Sequence, residues 1–507
     1  MSRPTVSTDA GSTDAGSLPD WLAIALVTGT SGAVLVLEIL AGRVMAPYVG
    51  VNLETYTAII GTILAGIAIG ARIGGSLADR YDPRALIPLL LVFGGALAIA
   101  SVPVVRLLGG SAGANTQGLP SVLLAAVGFL PSAAVLSAVP PAVVKLQLRD
   151  LDHTGDVVGR LSAWGTGGAI VGTFLAGFVL VAFAAVSTLI LSVGVSVVVA
   201  GGALWLTARP VGQRPAGQRA TSSALALAAV AAGGHVLVPQ PCDVQSSYYC
   251  IAVEVDPEDA SGRILVLDDL QHSYVDLDDA THLEFWYIRQ IIGAIETLAP
   301  AGPLDVIALG GGALTVPRYL DETRPGSSQT VLEIDSTLID VVREDFRVDT
   351  DRFEIVIGDG RVSMQRLPTS SADVIVGDAF GSRAVPWHLA TKDFMVDLAR
   401  VLRPGGLYVA NIIDGPGQSF LRAEAATIRS ALPFIAVMPG PGLTGGLSGN
   451  AVVVASDQPI DADAWDRARR DRNDAGELVA DVDEYLAGAL VLTDDFAPVD
   501  QLVVGAR

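Results

Sequence analysis

The run Leu304-Asp305-Val306-Ile307-Ala308-Leu309, closed by Gly310-Gly311-Gly312, reads as an apolar strand entering a turn of three glycines. Glycine there lets a ligand approach the backbone where a Cβ would clash. Three later apolar runs each finish on an acid. These acids are Glu333 in Val331-Leu332-Glu333-Ile334-Asp335, Asp359 in Ile357-Gly358-Asp359-Gly360-Arg361, and Asp378 in Val374-Ile375-Val376-Gly377-Asp378. The stretches between them have helical spacing. The pattern predicts strands over 304–309, 330–334, 353–357, 373–377 and 407–413, and helices over 314–322, 336–346 and 390–402, with a turn at Arg403-Pro404-Gly405-Gly406. Strands alternating with helices of this length predict βαβ units and a mostly parallel sheet, whose ligands bind beyond the carboxyl ends of the strands.

All the singled-out residues fall at that end. Gly310, Gly311 and Gly312, with Gly360 beside the third strand, would line the ligand's path. Glu333, about 20 residues past the glycines, can accept from both hydroxyls of a ribose. Asp359 can accept from the exocyclic amine of adenine, and Asp378 would lie near the reacting centre. Any one of them alone is equally well a helix cap. Their order, each at a strand end, predicts an adenosine-containing ligand.

The half of the chain before this is of another kind. Residues 1–20 form a Ser/Thr/Asp/Gly-rich tail without the basic start of a signal peptide. Apolar stretches then recur near 21–42, 55–77, 86–108, 120–145, 161–182 and 184–206, with a weaker seventh near 222–239. Each of the six is long enough to cross a hydrocarbon core of about 30 Å. Arg72, Arg80 and Arg84, then Lys145, Arg149 and Arg160, then Arg209, Arg214 and Arg219 flank alternate loops, while the intervening loops are nearly uncharged. The basic loops therefore face the cytoplasm. If the seventh stretch crosses, the C-terminal half lies outside; if it rests on the surface, that half is cytoplasmic. Gly66, Gly70 and Gly74, and Gly168 with Gly172, are small-residue ridges for helix packing. Glu38 and Arg43 are polar residues within the first span, where a charge must be paired or line a cavity. Pro140-Pro141 predicts a break or an end in the fourth. The division expected is tail 1–20, helical bundle 21–239, a strand and helix lead-in 240–303, and a nucleoside-binding domain 304–507.

The formal charge of −21 excludes nucleic acid as a partner and suits a cationic substrate. The two cysteines, Cys242 and Cys250, lack the further ligands of a zinc site, and no metal is expected. They are either a reduced buried pair or a disulfide, which would put this stretch outside the cytoplasm.

From about Ser261 to Asp414 the sequence resembles the spermidine synthase (polyamine aminopropyltransferase) family, in its branch fused to an N-terminal membrane bundle. Leu267-Asp268-Asp269-Leu270-Gln271-His272-Ser273 and Asp278-Asp279 through Glu284 are similar to the family's upstream motif. The resemblance implies an α-helical transmembrane bundle of six to seven helices followed by an α/β Rossmann-like domain of the S-adenosylmethionine-dependent methyltransferase type. It implies that Gln271 touches the nucleoside, that Glu333 and Asp359 take its ribose and adenine, and that Asp378 is the base. The reaction implied is transfer of an aminopropyl group from decarboxylated S-adenosylmethionine to an amine acceptor, at a multi-pass protein of the cell membrane. The lipid bilayer is the other expected partner, with a homodimer as an option.

Three positions depart from the pattern. Ala313 and Gly381 stand where the family carries aspartates that hold the amine, and His282 aligns with its motif tyrosine. Two rival readings follow: a methyltransferase using intact S-adenosylmethionine, and a non-enzymatic membrane protein with a ligand-sensing domain. His272, Tyr274, His282 and His388 are the remaining substrate or lid candidates, His388 within Pro386-Trp387-His388-Leu389. Thr493-Asp494-Asp495 reads as a capped turn.

Overall fold

A computed structural model describes residues 18–50, 53–111, 118–148, 154–207, 215–380 and 385–504. The chain divides into two compact units, with the break between Gln240 and Pro241 and residues 50–53 grouped with the second unit. Gly381, Arg149, Arg209 and Arg214 lie outside the described residues.

The first unit contains six helices long and apolar enough to cross a membrane: Asp20–Val49, Leu53–Arg80, Pro83–Gly110, Leu119–Gln147, Thr154–Leu180 and Val186–Thr207. The fourth is interrupted at Ala138, between Leu119–Ser137 and Val139–Gln147. Pro140 thus falls in the first turn of the new helix, where a missing N–H costs nothing. The fifth changes pitch to a π-helical turn over Leu175–Leu180. A seventh helix, Pro215–Leu237, is apolar only over Leu225–Leu237.

Backbone-to-backbone contact at glycine holds the bundle. A Cβ on Gly70 would fall 2.1 Å from the Ala134 carbonyl oxygen, and one on Gly168 would fall 2.2 Å from that of Thr28. At this spacing the helices meet through van der Waals packing of backbone on backbone. Leu37, Leu40, Met45, Ile59, Ile63 and Phe129 fill the centre. Glu38 is half-buried, and among the described residues neither it nor Arg43 forms an ion pair.

The second unit opens with an antiparallel sheet of β1 (Val244–Gln245), β2 (Cys250–Val255), β3 (Gly262–Leu267) and β4 (Leu270–Asp276). A register shift in the β3–β4 ladder leaves His272 without a partner between Gln271 and Ser273. The larger sheet holds β5 (Asp305–Leu309), β6 (Ser328–Glu333), β7 (Glu354–Ile357), β8 (Ala372–Gly377), β9 (Leu402–Asp414), β10 (Phe434–Pro439) and β11 (Gly449–Ser456). Its order is β10-β11-β9-β8-β5-β6-β7. The five strands from β9 to β7 run parallel, and β11 is inserted antiparallel to both β9 and β10. This is the doubly wound arrangement of a Rossmann-like domain.

Both faces of the sheet are buried, as parallel sheets require. Ile307 and Leu309 pack with Phe394 and Phe420 on one side; Val306 packs with Ile291, Ile295 and Trp465 on the other. The expected turn at 403–406 lies inside β9 as an irregularity in its pairing with β8, tied down by Arg403 to Asp305 (2.6 Å) and Asp373 (2.8 Å).

Packing at the glycine ridges is directly testable. Gly168→Leu should lower the unfolding midpoint of the purified protein, since overpacking costs about 1–3 kcal/mol. Gly167→Leu, whose Cβ would meet nothing within 4 Å, should leave it unchanged. Equal effects of the two would refute the contact.

Candidate active site

The order of the large sheet reverses beside β5, with β6 on one flank and β8 on the other, and open sheets of this kind bind ligands beyond the carboxyl ends at such a reversal. Gly310 occupies this point with φ +92°, and a Cβ would stand 2.5 Å from the Asp378 carbonyl oxygen. Only glycine meets both demands. The turn is fastened from the neighbouring strand. Glu333 Oε2 accepts from the Gly311 N–H (2.8 Å) and Oε1 from the Asp335 N–H (2.9 Å). Glu333 is only 5% exposed. Burial pushes its pKa up, against the pull of those two N–H groups.

Asp359 caps the helix Gly360–Arg366, accepting from Val362 N–H at 3.0 Å. Its other oxygen lies 2.8 Å from His388 Nε2. Burial works to raise its pKa, but the Val362 and His388 hydrogen bonds prevail and hold it below the usual carboxylate range. The cap is braced from beneath: Arg361 makes two 2.7 Å bonds to Asp494, which also accepts from Thr391 at 2.7 Å. Asp494 is therefore a brace, on a turn closed by the Thr493–Phe496 bridge.

Asp378 follows β8. Asn411 Nδ2 donates to its Oδ1 at 2.8 Å, and Asn450 Nδ2 in turn donates to Asn411 Oδ1 at 2.9 Å. The buried Tyr287 donates its hydroxyl to the His272 carbonyl at 2.9 Å and lies beside Asp378. Burial pushes the Asp378 carboxyl up to about 7, more than the Asn411 and Tyr287 hydrogen bonds pull it down. A carboxylate that titrates near neutrality can take a proton and release it under the same conditions.

Glu333, Asp359 and Asp378 thus stand at the carboxyl ends of β6, β7 and β8, with the glycine turn joined to the first and the last, and His388 joins Asp359. His272, on the irregular position of β4, buries Nε2 without a hydrogen-bond partner, and desolvation takes its pKa down to about 4 against the charge of Asp269. Gln271 is exposed on β4. Tyr274 and His282 have partners of their own. Tyr274 donates to Asp256 (3.1 Å), and His282 sits 3.2 Å from Glu284 with its ring against Tyr274. The tyrosine at the acid is Tyr287, not the residue at 282. Ala313 is fully buried among Leu267, Val275 and Leu338, with its N–H on Ser273 Oγ (3.1 Å), so it faces the core rather than an open pocket.

Tyr287, Ser273, Asn411 and Asn450 escaped the sequence reading. Asn411 carried a signal, being a lone amide in the apolar run Leu407 to Ile413.

No family model matches the chain. Similar proteins include the polyamine aminopropyltransferase of Chromobacterium violaceum, 28% identical over 222 residues that cover 43% of this chain and 81% of the enzyme. That of Vibrio vulnificus is 30% identical over 149 residues, 29% of this chain and 48% of the enzyme. The chain is a relative of the spermidine synthases. Among solved structures, a probable spermidine synthase from Corynebacterium glutamicum is 27% identical, with a TM-score of 0.47, and covers 50% of this chain and 97% of its own. The relationship is to transferases of the aminopropyltransferase type.

The raised Asp378 has a thermodynamic signature. A carboxyl whose folded pKa exceeds its unfolded value stabilises the fold fully at low pH, and that contribution is lost as pH rises through the folded value. Between pH 4 and about 7, then, wild type should lose more stability than Asp378→Asn, and above pH 7 the difference should be constant. Parallel curves over that window would show that Asp378 titrates normally.

Proposed function

We propose that this protein is a membrane-anchored aminopropyltransferase of the spermidine synthase type, with Asp378 as its base. The observation that carries the reading is Asp378 itself: a carboxyl raised to about 7, held by Asn411 and Tyr287, with its backbone against the glycine turn. The nucleoside would lie across that turn. Glu333 has one oxygen on each of two N–H groups and lone pairs left for ribose hydroxyls, and Asp359, oriented by His388, accepts from adenine.

In the reaction the acceptor nitrogen attacks the aminopropyl carbon bonded to sulfur. The C–N bond forms, the C–S bond breaks with its electron pair going to sulfur, and methylthioadenosine departs. The acceptor ammonium first gives up one proton to Asp378, and the lone pair this frees on nitrogen makes the attack. The sulfonium is already a good leaving group, so the protein's contribution is orientation and proton removal. Decarboxylated S-adenosylmethionine is consumed as a substrate.

Membrane anchoring is supported by the surface of the bundle. The apolar windows of Thr154–Leu180 and Val186–Thr207 are each only 22% buried, an exposed hydrophobic area that lipid covers and water does not tolerate.

A methyltransferase using intact S-adenosylmethionine is the second reading. Its ground in the sequence is the missing aspartate after the glycine turn, but Ala313 is a buried core residue, so that position does not decide between the two donors.

Calorimetry with decarboxylated S-adenosylmethionine, intact S-adenosylmethionine and methylthioadenosine separates the readings. Binding of the decarboxylated form with amine-dependent release of methylthioadenosine is expected. Binding of the intact form alone would favour methyl transfer, and binding of none would end both. Asp378→Asn should lower turnover on the order of 10²- to 10⁴-fold with nucleoside affinity nearly kept.

A further inference from the structure

We infer that the chain leaves the bundle on the face opposite its basic loops, so that the candidate active site works outside the cytoplasm. The inference rests on the reading that the bundle spans a membrane, and three separate observations carry it.

The first is the direction of the seventh helix. Ala228 and Ala231 share a buried cluster with Ala96 and Ile99 of the third helix. Farther along, a Cβ on Gly234 would meet Pro103 at 3.0 Å, and Val238 brings its carbonyl within 3.4 Å of Arg106 Nη1. Position along one helix rises with position along the other, so the two run parallel. The third helix starts beside Arg84 and ends at Ser111; the seventh helix therefore travels away from the Arg84 face. Arg106 fixes its end there, donating to the His235 and Val238 carbonyls that the last helical turn leaves open.

The second observation is the charge of the two faces. Lys145 pairs with Asp79 (2.5 Å) and Arg160 with Asp20 (3.4 Å), which gathers the ends of the second and fourth helices and the starts of the first and fifth on one face. Arg80 and Arg84 belong to the same face. At the other, the connections 50–52, 112–118 and 184–185 contain no charged residue. By the positive-inside rule the charged face is cytoplasmic.

The third is covalent. Cys242 and Cys250, directly after the seventh helix, are joined in a disulfide. Such bonds persist in oxidising compartments and are rare in the cytoplasm.

Sulfonium nucleosides are built from ATP within the cell, so the step supplying this site is transfer of the nucleoside across the membrane.

Alkaline phosphatase, active only outside the cytoplasm, and green fluorescent protein, fluorescent only inside, can each be fused to the full-length C-terminus and after Thr207. The full-length fusion should be phosphatase-positive and dark. The Thr207 fusion, which lacks the seventh helix, should be the reverse. In cells quenched with acid, Cys242 and Cys250 should take a maleimide–polyethylene glycol label only after reduction. Fluorescence from the full-length fusion, or labelling without reductant, would overturn the inference while leaving membrane anchoring intact. Recovery of the full-length protein in the soluble fraction would instead overturn the anchoring on which it rests. Nucleoside calorimetry is indifferent to both results.

Discussion

The closeness of Gly310 to the Asp378 carbonyl is the constraint on which the site depends. With φ +92° and no room for a Cβ, Gly310 brings the ends of β5 and β8 into direct backbone contact. Glu333 completes the junction from β6, since it holds Gly311 and its own chain at Asp335 with separate oxygens. Three strand ends are thereby fixed to one another by main-chain geometry and a single carboxylate. That rigidity allows side chains on different strands to address one ligand, because misplacement by about 1 Å can cost a hundredfold in rate. The same carboxylate would serve fold and ligand together, so a change at Glu333 perturbs both.

Asp378 shows how the fold sets chemistry by balancing opposed effects. Desolvation favours the neutral acid, whereas the amide of Asn411 and the hydroxyl of Tyr287 favour the anion. Desolvation wins, but only far enough to leave the group titrating near 7. Asp359 has the opposite outcome. It is also partly buried, yet a helix N-terminus and His388 keep it ionised. Two carboxylates at strand ends of one sheet thus have different protonation behaviour, which suits one to accept a proton and the other to remain a constant acceptor.

How much of this the sequence revealed follows from the range of each interaction. Six apolar helices and the βα alternation through β9 were legible because hydrophobic period and strand-end glycines and acids are local patterns. The acids were legible as a set because each ends its own strand. Tyr287 was not, because its relation to Asp378 depends on how the helix Trp286–Leu298 packs on the sheet. Tyr274 and His282 were named from the motif, and the partners the structure gives them, Asp256 and Glu284, depend on tertiary packing that a motif does not encode. Ala313 looked like a lost ligand group, yet it is a core residue, since the N–H of its backbone is taken by Ser273 from the other sheet.

The disulfide has a bearing on the site as well as on location. Cys242 and Cys250 close the β1–β2 hairpin, and that hairpin carries Tyr249, whose hydroxyl donates to the Phe380 carbonyl at 3.0 Å. Phe380 is two residues beyond Asp378. The first residues after the bundle therefore help hold the segment that follows the proposed base. A cross-link over so short a loop removes little chain entropy from the unfolded state compared with a long one. Its larger effect is local: it limits the conformations of the hairpin and, through Tyr249, of the chain that follows Asp378. A site whose wall is braced in this way is matched to an oxidising surrounding, where the brace is permanent and needs no upkeep from the cell.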